Sequence, residues 1–249
     1  MIWIALAVLA LLLHLAVHEA AHALALRKSI GGDIKEAGLG LPIPPVLRFE
    51  RAGTWTFTVS PWLLGAYVTP DDESERKIAQ ASYTRQAWFA GAGVIANAVL
   101  GLAFVVAIYL TRGDWRAAGI AVGIGAAIWF LRKVITFILP ALGIAALIFL
   151  VIALANSVGD AQGPVGIAIL LSEASTADQV LKLGANIGFS LAILNCIPVF
   201  PFDGGRVADA ALRATVSHRV ANRFRAVTTV ITLGFLVYVL GSDVWSLVT

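Results

Sequence analysis

From Ile2 to Leu26 the chain carries no Lys, Arg or Asp, and its only ionisable side chains are His14, His18, Glu19 and His22. A helix needs roughly 20 apolar residues to cross a bilayer, so this stretch reads as a spanning helix. Further apolar runs lie at Ala87 to Leu110, Ala117 to Leu131, Val134 to Asn156, Gln179 to Ile197 and Ala226 to Leu240. The expectation is an all-α polytopic membrane protein of about six crossings, a single membrane-embedded domain over residues 1–249. Two crossings are short: only Arg132-Lys133 separates the third from the fourth, and Pro140 marks a kink or the real turn. Composition agrees, because 13% charged residues is about half the usual share of a soluble domain, and mean hydropathy is +0.86. The run Ile2 to Leu13 lacks a preceding basic region and a small-residue cleavage site, so the first helix is expected to be retained. Cys196 is the single cysteine, which rules out an internal disulfide and a CxxC metal cluster. No nucleic-acid-binding motif occurs, and the net charge of +3, gathered in loops, suits the headgroups of a lipid bilayer.

The stretch from Arg27 to Gln86 is polar. Within it Leu47 to Glu50 and Thr54 to Val59 alternate around Arg51-Ala52-Gly53, which predicts a β-hairpin, a small re-entrant element between the first two helices. The prolines between Gly38 and Pro45 exclude regular helix. Basic residues set the orientation, because cytoplasmic loops collect them. With the N-terminus outside, Arg27 to Arg85, Arg132-Lys133 and Arg206 to Arg225 all face the cytoplasm, and Arg112 and Arg116 lie outside. The chain is then N-out and C-out, in the cell membrane.

His18 and His22 are one helical turn apart, so both imidazoles share a face and suit two ligands of one metal ion. Glu19, beside them, has the reach to take a proton from water and return it to a leaving amine. His18-Glu19-Ala20-Ala21-His22 is an HExxH pattern, common by chance in soluble chains but costly inside a spanning helix, where ionisable groups usually mark function. The plainer alternative is a polar helix contact. His14, a further turn back, reads as an outer partner of the site or a packed imidazole, and His218 as a solvated loop residue. Catalytic zinc usually keeps three protein ligands. Asp203, between aromatic residues and Gly204-Gly205, is the candidate third; it also suits a helix N-cap. Both pieces reach the cytoplasmic side if an even number of crossings separates the second helix from the one before Asp203.

These residues resemble the site-2 protease family of intramembrane zinc metalloproteases. The resemblance runs over HEAAH, Pro61 to Val68, Gly93-Val94-Ile95-Ala96-Asn97, Gly163-Pro164-Val165-Gly166 and the NxxPxxxxDGG element from Asn195 to Gly205. It implies His18, His22 and Asp203 as zinc ligands, Glu19 as catalytic base, and Asn97 and Asn195 as polar groups near the substrate or oxyanion. It implies single-span membrane substrates, such as anti-sigma factors or membrane-tethered regulators. Many members insert a PDZ domain where this chain has the helical pair of residues 117–156. Substrate must unwind before cleavage, and the hairpin edge is a candidate for holding it by strand addition. Two rivals remain: a membrane metal transporter, for which Glu19→Gln leaves transport intact, and a catalytically silent scaffold, which cleaves nothing even with zinc.

Overall fold

The computed structural model describes residues 1–40, 47–51, 55–60, 65–132, 134 and 171–248. Along them run α1 (Ile2–Ala25), a π-helical turn (Leu26–Ile30), β1 (Ile34–Leu39), β2 (Leu47–Arg51), β3 (Trp55–Val59) and β4 (Ala66–Pro70). Then come α2 (Asp72–Gln80), α3 (Tyr83–Thr111), α4 (Trp115–Phe130), α5 (Ala177–Cys196), α6 (Asp203–Thr215) and α7 (His218–Val248). Three described helices are long and apolar enough to cross a membrane: Ile2–Ile30, Tyr83–Thr111 and His218–Val239. α4 is apolar but has 16 residues. α5 covers the expected fifth crossing but carries Asp178, Gln179, Lys182, Asn186 and Asn195. The expected crossing at Val134 to Asn156, but for Val134, and the Gly163 to Gly166 motif lie outside the described residues.

The helices are dressed for lipid rather than water. On α1 the buried stripe is Ala7, Ala10, His14, His18, His22 and Ala25, at helical spacing, while Leu6, Leu9, Leu13 and Leu24 point outward. α7 likewise exposes Val230, Leu233 and Val237. Association without a hydrophobic drive relies on close approach of small residues. α3 is the hub, touching α1, α4, α5 and α6. A Cβ on Gly188 of α5 would come within 2.8 Å of Gly101 Cα on α3, and one on Gly184 within 2.4 Å of the Phe104 ring. These glycines let α3 and α5 lie backbone to backbone.

The ends are pinned. Arg112, capping α3, donates to Asp178 in the first turn of α5 at 2.6 Å. α5 therefore starts level with the end of α3 and runs back along it. α4 also returns along α3, and the Arg132 guanidinium beyond it stacks on Trp129 and on Trp88, near the start of α3.

The described residues are mostly helical, as expected, but the β element is larger than a hairpin. The expected hairpin is present, with Phe49 opposite Phe57, but Arg51, expected in the turn, pairs with Trp55, and the hairpin belongs to a four-stranded sheet in the order β2-β3-β1-β4. β1 lies parallel to β3 and antiparallel to β4. Gly38 is required at the centre: a Cβ there would lie 2.5 Å from the Tyr67 ring and 2.6 Å from Thr58 Oγ1. That space lets the Tyr67 hydroxyl donate to Glu36 at 2.6 Å and hydrogen-bond Thr58 at 2.7 Å. With β1 on its far side, β3 is an inner strand, so among the described residues the edge that the hairpin leaves unpaired is that of β2. The helix α2 was not expected either. Asp71 caps it by accepting from the Ser74 N–H at 2.7 Å, and Asp72, Glu73 and Glu75 suit the positive end of its dipole.

Candidate metal centre

His18 and His22 face inward because they continue the alanine stripe of α1. Asp203 reaches them from α6, whose first residue it is, with Phe202 in the capping position. The tight start of α6 needs the glycine pair: a Cβ on Gly204 would sit 2.1 Å from the Cys196 carbonyl oxygen, and one on Gly205 2.4 Å from Val199. α7 braces the loop before Asp203. Arg225 lies over the Phe200 ring and donates to the buried Asp209 at 2.9 Å, and the Phe200 N–H donates to Thr228 at 3.3 Å. Arg213 donates to the same carboxylate and approaches His218 at 3.1 Å.

The result is a small triangle of donors. His18 Nε2 is 3.1 Å from His22 Nε2, and Asp203 Oδ2 is 3.2 Å from each. All three residues are buried. Bond lengths of about 2.0 to 2.2 Å in a tetrahedral zinc site place donors about 3.3 Å apart, so the set fits zinc with little adjustment. The His22 Nδ1–H donates to the Phe89 carbonyl at 2.8 Å, which leaves the Nε2 lone pair for a metal. Gly93 supplies the space. A Cβ there would fall 2.4 and 2.5 Å from His18 Cε1 and Nε2 and 2.6 Å from His22 Nε2. The Phe89 carbonyl, Gly93 and Phe104 were not foreseen as parts of the site; only Gly93 left a trace, as the glycine opening the α3 motif.

Glu19 stands apart from the triangle. It lines a cleft of about 390 Å3 between α1 (Ala16, Ala20, Ala23) and the sheet (Ala37, Leu39, Phe57, Ala66, Tyr67, Val68). His18, His22 and Asp203 are not among the residues that line it. Asn97 is 1% exposed, and its amide meets His18 Nδ1 at 3.0 Å. Asn195 donates to the Leu191 carbonyl at 2.9 Å, within its own helix. His14 is fully buried, its ring stacked on Phe104 at 5.4 Å between centroids.

A carboxylate on a cleft beside two imidazoles and a second carboxylate can do hydrolytic chemistry on a metal-polarised bond. No protein of curated function matches the chain. The family model described as Peptidase family M50 matches residues 6–239, nearly its whole length. With three helices apolar enough to span a membrane and a donor triad that suits a metallopeptidase, the chain belongs to peptidase family M50, the site-2 protease family.

Proposed function

We propose that this membrane protein is a zinc-dependent endopeptidase that hydrolyses peptide bonds in or near the spanning segments of single-span membrane proteins. The convergence of His18, His22 and Asp203 from helices far apart in sequence carries the reading. Zinc held there supplies Lewis acidity toward the scissile carbonyl and toward water. Glu19 takes the proton of the attacking water as its oxygen bonds to the carbonyl carbon. The same carboxyl returns that proton to the amine nitrogen as the C–N bond breaks. Asn195 keeps a second amide N–H beyond the one given to Leu191, and that hydrogen serves the oxyanion.

The cleft lies between Glu19 and the face of the sheet, and β4 is the edge strand that borders it. β4, rather than the hairpin, is therefore the strand on which an unwound substrate pairs. The orientation is N-out and C-out, with the centre toward the cytoplasm, on the distribution of basic residues. Residues 117–156 stand in place of a PDZ filter.

The test is cleavage of purified single-span candidates, with a chelator and with zinc added back. Cleavage lost on chelation and restored by zinc is expected; cleavage indifferent to chelator sinks the reading. Strand pairing has its own measure. Methylating alternate backbone nitrogens of a peptide substrate is expected to lower kcat/KM about 3- to 10-fold for each hydrogen bond removed, and no dependence on position overturns it.

A further inference from the structure

Behind the triad lie three buried polar atoms that close no hydrogen bond: both ring nitrogens of His14 and Oδ1 of Asn97. Buried polar groups are nearly always paired, so three orphans in one place require an explanation. His14 and Asn97 are 0% and 1% exposed, out of reach of solvent. The polar groups flanking the His14 ring are the Asn97 side chain and the Gly184 backbone. Gly188 leaves room for the ring beside α3, because a Cβ there would lie 2.5 Å from His14 Cε1 and 3.0 Å from the main-chain carbonyl oxygen of Asn97.

The chemistry of His18 decides which way the Asn97 amide points. If Nδ2 faces His18 Nδ1, it donates, the imidazole keeps its proton on Nε2, and that nitrogen cannot bind a metal. The oxygen and nitrogen of a carboxamide have nearly the same shape, and the hydrogen-bond network chooses between them. With Oδ1 toward His18 it accepts the Nδ1–H, and the Nε2 lone pair is free. Asn97 Nδ2 then turns to His14 and donates to one ring nitrogen, while the N–H of the other donates to the Gly184 carbonyl. The turn gives Asn97 Oδ1 a donor, and it leaves the Asn97 amide and the Gly184 backbone as the polar groups that flank the two ring nitrogens of His14.

We infer that His14 and Asn97 are positioning residues which, through the chain Gly184 carbonyl, His14, Asn97, His18, hold His18 in the tautomer that binds the metal. The inference rests on the zinc reading of the site. His14 touches neither metal nor substrate and acts only through Asn97.

The test is zinc affinity of the full chain in detergent, by competition with a chromophoric chelator, alongside thermal unfolding of the zinc-free forms. Asn97→Leu keeps the volume and removes the acceptor; the dissociation constant is expected to rise about 10- to 100-fold. His14→Phe keeps the stack on Phe104 and costs about 3- to 10-fold. His14→Gln, which accepts with Oε1 and donates with Nε2, restores affinity to within about 2-fold. In the Asn97→Leu background His14→Phe costs nothing more, an outcome that a merely structural His14 would not give. Equal zinc affinity in wild type and Asn97→Leu, or additive losses in the double variant, overturns the relay. Should Asn97→Leu fail to fold, the His14 pair decides: equal affinity of His14→Phe and wild type overturns it. Wild type that binds no zinc overturns the metal site and the relay together.

Discussion

Glu19→Gln is expected to lower kcat for peptide hydrolysis by about 10^3-fold or more while zinc stays bound at one ion per chain. Glu19 is outside the donor triangle and on the cleft, so its loss leaves His18, His22 and Asp203 in place. A positioned proton acceptor contributes typically about 10^2- to 10^4-fold, and glutamine, of the same size, cannot accept the proton. KM is expected to change little, since the amide fills the same volume beside Ala16 and Ala20. Asp203→Ala is expected to fail differently, losing zinc and activity together. The contrast also separates the rivals. Metal transport through the same donors survives Glu19→Gln, whereas a silent scaffold shows no cleavage for the substitution to remove. Unchanged hydrolysis in Glu19→Gln would reject Glu19 as the base.

The chemistry was the legible part of this sequence, because ionisable residues in an apolar helix stand out. His18, Glu19 and His22 announce themselves by cost and spacing, and Asp203 by the proline and glycine residues around it. The Arg112–Asp178 pair sets the start of α5 level with the end of α3, a contact between distant segments that no local pattern announces. The rest depended on partners that a single segment does not reveal. β1, Ile-Lys-Glu-Ala-Gly-Leu, lacks a clean alternation and becomes a strand only because β3 and β4 flank it. α2 has no apolar stripe, and its start is fixed by the Asp71 cap. α7 begins at His218, well before the apolar run at Ala226, because Arg213 and Arg225 close on Asp209 and hold its first turns against α6. Hydropathy is blind to glycine pairs such as Gly101 and Gly188, whose meaning appears only when two helices meet.

Gly93 joins these two kinds of information. It sits on α3, opposite the imidazoles of α1, and the missing side chain is where their Nε2 atoms lie. Gly93→Ala is expected to weaken zinc binding at least about 100-fold and to abolish hydrolysis, because the new methyl meets both ligating nitrogens rather than an outer partner. The fold is expected to survive. Overpacking costs about 1 to 3 kcal/mol, and alanine returns about 1 kcal/mol of helix propensity over glycine. The zinc-free variant should thus unfold within a few degrees of the zinc-free wild type while the two differ widely with zinc present. Gly119→Ala on α4, where a Cβ meets nothing within 4 Å, is the control and should bind zinc normally. A Gly93→Ala protein that keeps zinc and activity would mean that the donors do not assemble against α3 as described. The space at Gly93 would then have no part in the metal site.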